Sequence, residues 1–106
     1  MKNDGERTGK IIVHIDKDLK KLIPQYLKNR RNDAHIIVDA LERGDYETIE
    51  TVGHTMKGSG GGYGFETITT IGLTIETAAM EKSTEQICTA VEELYDYLNR
   101  LEIIYE

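Results

Sequence analysis

The chain has 106 residues, of which 39% are apolar and 30% charged, and its formal net charge is −6. That length suits one small domain around one core, and the negative charge argues against a nucleic-acid partner. The single cysteine, Cys88, excludes an intrachain disulfide and fits a reducing compartment. No apolar run reaches the ~20 residues of a membrane span, and the start lacks a signal peptide's apolar stretch, so a cytoplasmic location is expected.

Residues 1–10 are polar with two glycines and read as a flexible leader ahead of a domain over residues 11–106. His14, in the apolar run from Ile11 to Ile15, reads as a partly packed residue just before the first helix. Asp16 or Asp18 can cap a short helix through Leu19, Leu22 and Ile23. Pro24 fits the first turn of a second helix, where its missing N–H does no harm. That helix carries Leu27, Ala34, Ile37, Val38 and Leu41 on one stripe. Gly44 ends it, and Asp45 caps the next. The loop is so short that an antiparallel neighbour is implied.

A third helix runs from near Tyr46 toward Tyr63, with Tyr46, Ile49, Gly53, Met56, Gly60 and Tyr63 at helical spacing. A fourth starts near Phe65 and carries Ile68, Ile71, Ile75, Ala78 and Ala79. Ser83 and Gln86 have the spacing of a capping box. A fifth helix places Ile87, Val91, Leu94, Leu98, Leu101 and Tyr105 in near-heptad spacing. No alternating strand pattern or hairpin signal stands out. The expected fold is all-α: an antiparallel, up-and-down four-helix bundle with a short extra helix at the N-terminus.

The segment with chemical potential runs from Gly53 to Gly64. At about 100° per residue, Met56 lies ~200° around the helix from His54, so His54 faces solvent. Its ring then has a free nitrogen, and an ordinary imidazole is largely neutral at cellular pH. Lys57, one turn on, can place a cation beside a phosphoryl group. Gly58 leaves no side chain next to the ring, so a partner can approach closely. Taken alone, the pair of His54 and Lys57 is an ordinary surface arrangement. The cluster of Gly58, Gly60, Gly61 and Gly62 in a helical pattern adds weight, because each glycine costs roughly 0.5–1 kcal/mol against alanine, which suggests close approach by a neighbouring helix or by a partner. The plainer explanation is that the helix ends near Gly58 in a glycine loop.

Rival sites fit poorly. A P-loop needs lysine where Ser59 stands, and a dinucleotide fingerprint needs a preceding strand. His14, His35 and His54 are too far apart for a helical two-histidine metal site, and Cys88 reads as packing. Arg30, Arg31 and Arg43 could add positive charge near His54, but read more simply as solvated surface residues.

The segment resembles the histidine phosphotransfer (HPt) family signature, His-x-Leu/Met-Lys-Gly-Ser followed by small residues and a glycine. Here those residues are His54, Met56, Lys57, Gly58, Ser59 and Gly64. The likeness runs from about Ile15 to Tyr105 and takes in Leu22-Ile23-Pro24, Asn29-Arg30-Arg31 and Gly44-Asp45-Tyr46. Gly60 to Gly62 depart from the Ser or Ala often found there.

The resemblance implies a phosphorelay module that accepts a phosphoryl group on His54, usually at Nε2, and exchanges it with aspartates of receiver domains. It implies that Lys57 steadies the phosphoryl charge and that Gly58, Ser59 and Gly61 face the partner. The receiver would supply the aspartate and Mg²⁺; this chain would bring no metal, cofactor or ATP site and would be a phosphocarrier rather than an enzyme. The partners expected are receiver domains of response regulators or hybrid kinases, met by a monomer. The alternative function is a helical adaptor that binds receivers or kinases without phosphotransfer. A dimerising kinase helix pair fits less well, because Thr55 follows the histidine and the only proline is Pro24.

Overall fold

The computed structural model describes residues 9–106. The leader expected over residues 1–10 therefore lies mostly outside the described residues. The chain forms strand β1 (Ile11–Ile15), a 3-10 turn (Lys17–Leu19), and helices α1 (Ile23–Glu42) and α2 (Tyr46–Gly60). After a second 3-10 turn (Gly61–Tyr63) come α3 (Glu66–Met80), α4 (Thr84–Arg100) and strand β2 (Leu101–Tyr105).

The fold is mostly helical, with four α-helices, as the sequence predicts. Each helix packs on the next in sequence, and α1 also packs on α4. Their stripes meet in one core, where Ile23, Ile37, Ile49, Phe65, Ile75 and Leu94 are fully buried. Asp45 caps α2 by accepting from the Thr48 N–H at 3.1 Å and the Thr48 hydroxyl at 2.6 Å.

Two expectations need correction at the chain's ends. The extra N-terminal helix is only the 3-10 turn, with Asp16 accepting from the Asp18 N–H. Pro24 stands in the first turn of α1 as expected, but it has no N–H to return to a preceding turn, so no helix runs through from Asp16. Strands are also present. β1 and β2 pair in parallel, from Ile11 opposite Leu101 to Ile15 opposite Tyr105. The last helix thus stops at Arg100, not near Tyr105. Ile11, Val13 and Ile15 pack on the core beside Leu101, Ile103 and Tyr105, while Ile12 and Ile104 face out. His14 is exposed on β1, and its Nδ1 lies 3.0 Å from Glu106 Oε2.

The Ser83–Gln86 capping box forms by half. Ser83 Oγ accepts from the Gln86 N–H at 3.3 Å, but the Ser83 N–H donates to Ala78 O, not to the Gln86 side chain. Ser83→Ala is expected to cost about 1 kcal/mol. Thermal denaturation should show a melting temperature lower by roughly 4–8 °C.

The closest helix pair is α2 with α3. A Cβ on Gly72 would lie 2.4 Å from the Lys57 backbone nitrogen and 2.8 Å from Gly53 O. One on Gly53 would lie 2.7 Å from the Glu76 backbone nitrogen. At the far end, one on Gly60 would lie 2.6 Å from the Thr69 backbone nitrogen. Later residues of α2 thus meet earlier residues of α3, so the two helices run antiparallel with their backbones nearly touching. Three of the glycines are spent on this seam.

Candidate functional site

The seam sets His54 and Lys57 of α2 against Glu76 of α3. His54 points outward, with its side chain 68% exposed. Its Nδ1 lies 2.9 Å from Glu76 Oε2. The other carboxylate oxygen, Oε1, lies 2.8 Å from Lys57 Nζ. One carboxylate therefore holds both residues that the sequence singles out.

Glu76 is buried beneath them, at 9% exposure. The Lys57 hydrogen bond holds its carboxyl below the usual range; burial pushes the other way, and the His54 hydrogen bond adds to the lowering. The group stays ionised through neutral and mildly acidic pH. An ionised carboxylate can only accept, so the hydrogen of the neutral imidazole sits on Nδ1. Nε2 is left with its lone pair on the solvent side. Lys57 gives one of its three N–H donors to Glu76 and keeps two for an anion at Nε2.

The remaining expected residues divide in two. Gly58 is exposed, and a Cβ there would meet nothing within 4 Å. Gly61 is exposed and follows two turns after His54, close to the same line along the helix. Both lie on the face of His54. Ser59 does not: it sits about 140° around the helix, and its hydroxyl is engaged with α1. The Tyr26 hydroxyl lies 3.0 Å from Ser59 Oγ, and Arg30 Nη1 donates to it at 3.2 Å.

None of the three arginines stands at the site. Arg30 is 8% exposed, not a solvated residue as expected, and its Nε lies 2.7 Å from Asp33 Oδ2. It also lies over the Tyr26 ring, which stacks on Tyr63. Arg31 bonds Asn99 and Leu98 O, and Arg43 pairs with Asp39 and Asp45.

Over residues 21–102, the chain matches the family described as the Hpt domain. The chain belongs to the Hpt domain family. No curated protein and no solved structure gives a significant match. An Hpt domain is a phosphotransfer module of phosphorelays, a phosphocarrier and not an enzyme in its own right, and its partners are receiver domains of response regulators. Within this Hpt domain, His54 shares the Glu76 carboxylate with the Lys57 cation. Among the described residues, the hydrogen-bond partner of the His35 ring is the Tyr95 hydroxyl, at 3.4 Å, and that of His14 is Glu106. Among the described residues, no group of three His, Cys, Asp or Glu is placed to hold a metal ion. No helix among them is long and apolar enough to cross a membrane.

Glu76 was not singled out from the sequence, yet a signal was present. After Glu66 in the first turn, it is the only charged residue of the helix, in a stretch from Thr67 to Met80 otherwise made of threonine, glycine and apolar side chains. A lone carboxylate on such a helix calls for a partner, because an unpaired charge is costly to bury.

Proposed function

We propose that this Hpt domain carries a phosphoryl group on His54 Nε2 and exchanges it with the aspartates of receiver domains. The observation that carries the reading is the Glu76 bridge, which fixes the Nδ1–H tautomer and leaves Nε2 as an exposed nucleophile.

In the forward step the Nε2 lone pair attacks the phosphorus of an aspartyl phosphate. The N–P bond forms as the P–O bond to the aspartate breaks, and the aspartate leaves as a carboxylate with the bonding pair. The Nδ1 proton stays in place, so the ring becomes a phosphorylated imidazolium whose positive charge faces Glu76. Lys57 turns its free donors to the phosphoryl oxygens. Such transfer needs positioning and charge compensation more than covalent help. The reading also has the chain act as a monomer in the cytoplasm, with no cofactor or nucleotide site. Mg²⁺ belongs to the receiver. Gly58 and Gly61 leave the receiver backbone a clear path, and Ser59 supports α2 from behind.

The direct test is phosphorylation by a receiver charged on its aspartate, with Mg²⁺ present. The expected product is acid-labile, base-stable phosphate located on Nε2 of His54 by NMR. Label that maps to any other residue, or that appears with ATP alone, contradicts the reading.

The Glu76 role has its own expected result. ¹⁵N NMR of the ring should show the Nδ1–H form dominant in the wild type. Glu76→Ala should lose that preference and accept the phosphoryl group about tenfold more slowly. Glu76→Gln should keep the tautomer, since its carbonyl can still accept, and should fall between the two in rate for want of the charge.

A further inference from the structure

Helix α3 presents an unusual surface for so charged a chain. Between Thr67 and Met80 its only charged side chain is Glu76, which is buried under His54 and Lys57. Beyond Glu66 in its first turn, its outward residues are threonines and two large apolar side chains. Leu73 is 49% exposed and Met80 57%. They stand three residues before and four residues after Glu76, one turn to either side of it. Gly72 faces α2 across the seam, and the rotation from Gly72 through Glu76 to Met80 and Leu73 carries them to the side of the helix pair on which His54 emerges.

The chemistry decides what covers these residues. A protein whose aspartate reaches Nε2 in line must lay its surface around the ring. A specific protein contact covers about 800 Å² per partner, a disc of roughly 16 Å radius. Met80 is one helical turn, about 5–6 Å, from Glu76, and Leu73 is nearer to the level of His54, so both fall inside that footprint. Loss of charge and gain of apolar or methionine side chains mark the centre of such a contact.

We infer that Leu73 and Met80 are the apolar anchors on which a receiver domain seats itself over His54 and that they help set which receivers are accepted. The inference rests on the phosphocarrier reading above. Receiver docking therefore needs the outer side of α3, while the attack itself needs only the seam beneath.

The test separates docking from chemistry with two donors. Phosphoramidate is a small donor: its P–N bond breaks as the His54 N–P bond forms, and ammonia leaves. The other donor is a receiver domain, charged on its aspartate and taken from a panel for exchange with the wild-type chain. Leu73→Lys and Met80→Lys are expected to keep phosphoramidate labelling within about twofold. Their transfer from the receiver, at receiver concentrations below saturation, should fall about tenfold or more, with the saturated rate little changed. Met80→Leu should transfer like the wild type.

Lysine variants that exchange normally with the receiver overturn the inference. So does an equal loss with both donors, which would mean damage to the site. A panel in which no receiver exchanges with a chain that phosphoramidate labels overturns it too. Sedimentation showing a wild-type dimer that Met80→Lys dissociates assigns the face to a second copy and likewise overturns it. Failure of phosphoramidate to label the wild type refutes the phosphocarrier reading itself.

Discussion

His54→Gln is expected to abolish phosphoryl labelling while leaving the fold unchanged. The glutamine amide has no nucleophilic lone pair to attack phosphorus, so the loss should be complete, not partial. The fold should tolerate the change because the His54 side chain is 68% exposed and adds nothing to the core. Among the described residues, its hydrogen bond to the bundle is the one to Glu76, and the glutamine NH₂ can donate in its place. Exposed substitutions of this kind usually stay within about 0.5 kcal/mol. Circular dichroism and thermal melting should therefore match the wild type. His14 and His35 are not expected to substitute, since among the described residues the ring of His14 is paired with Glu106 and that of His35 with the Tyr95 hydroxyl, with no carboxylate shared with a lysine as at His54. Residual label in the variant would place the phosphoacceptor elsewhere and sink the assignment.

Gly72→Ala is expected to harm both stability and transfer, and Gly58→Ala only transfer. On Gly72 a methyl group would meet backbone atoms of Lys57 and Gly53 at 2.4 to 2.9 Å. Backbone cannot rotate away, so α2 and α3 must part. Overpacking of this kind costs about 1–3 kcal/mol or more, against roughly 0.5–1 kcal/mol gained by removing glycine from a helix. The opened seam also moves Glu76 from beneath His54 and Lys57, so the rate of phosphoryl acceptance should fall with the melting temperature. On Gly58 the methyl group meets nothing within 4 Å. That variant should gain roughly 0.5–1 kcal/mol from helix propensity and still transfer more slowly from a receiver that must approach there. Denaturant titration and receiver-dependent labelling of the two variants distinguish the two uses of glycine. A Gly72→Ala protein as stable and as active as the wild type would show that the seam is not tight.

The helices were legible because their apolar periods, Gly44, Asp45 and Ser83 all mark the same boundaries. The outward direction of His54 followed from the same period. The glycines were harder to read. Sequence alone offered a neighbouring helix, a partner or a glycine loop as reasons, and the structure gives Gly53, Gly60 and Gly72 to the seam and Gly58 to open space. β2 was missed because Leu101 and Tyr105 fit a helical step as well as an alternating strand. Only pairing with β1, at the far end of the chain, separates the two periods. Glu76 was missed for a similar reason: its meaning lies in α2, not in the residues around it.

The parallel pairing of β1 with β2 has a consequence for how the molecule assembles. His14 in β1 and Glu106 just after β2, which meet beside the pair, lie 92 positions apart in the chain, and a parallel pair cannot be joined by a tight turn. The whole bundle is the crossover. Closing so long a loop costs entropy that five residue pairs recover only when the core already holds them side by side. The helices can collapse on near neighbours, but the ladder must wait for them. The two ends then act as a latch, one that fastens only over a bundle in which α2 and α3 have already met.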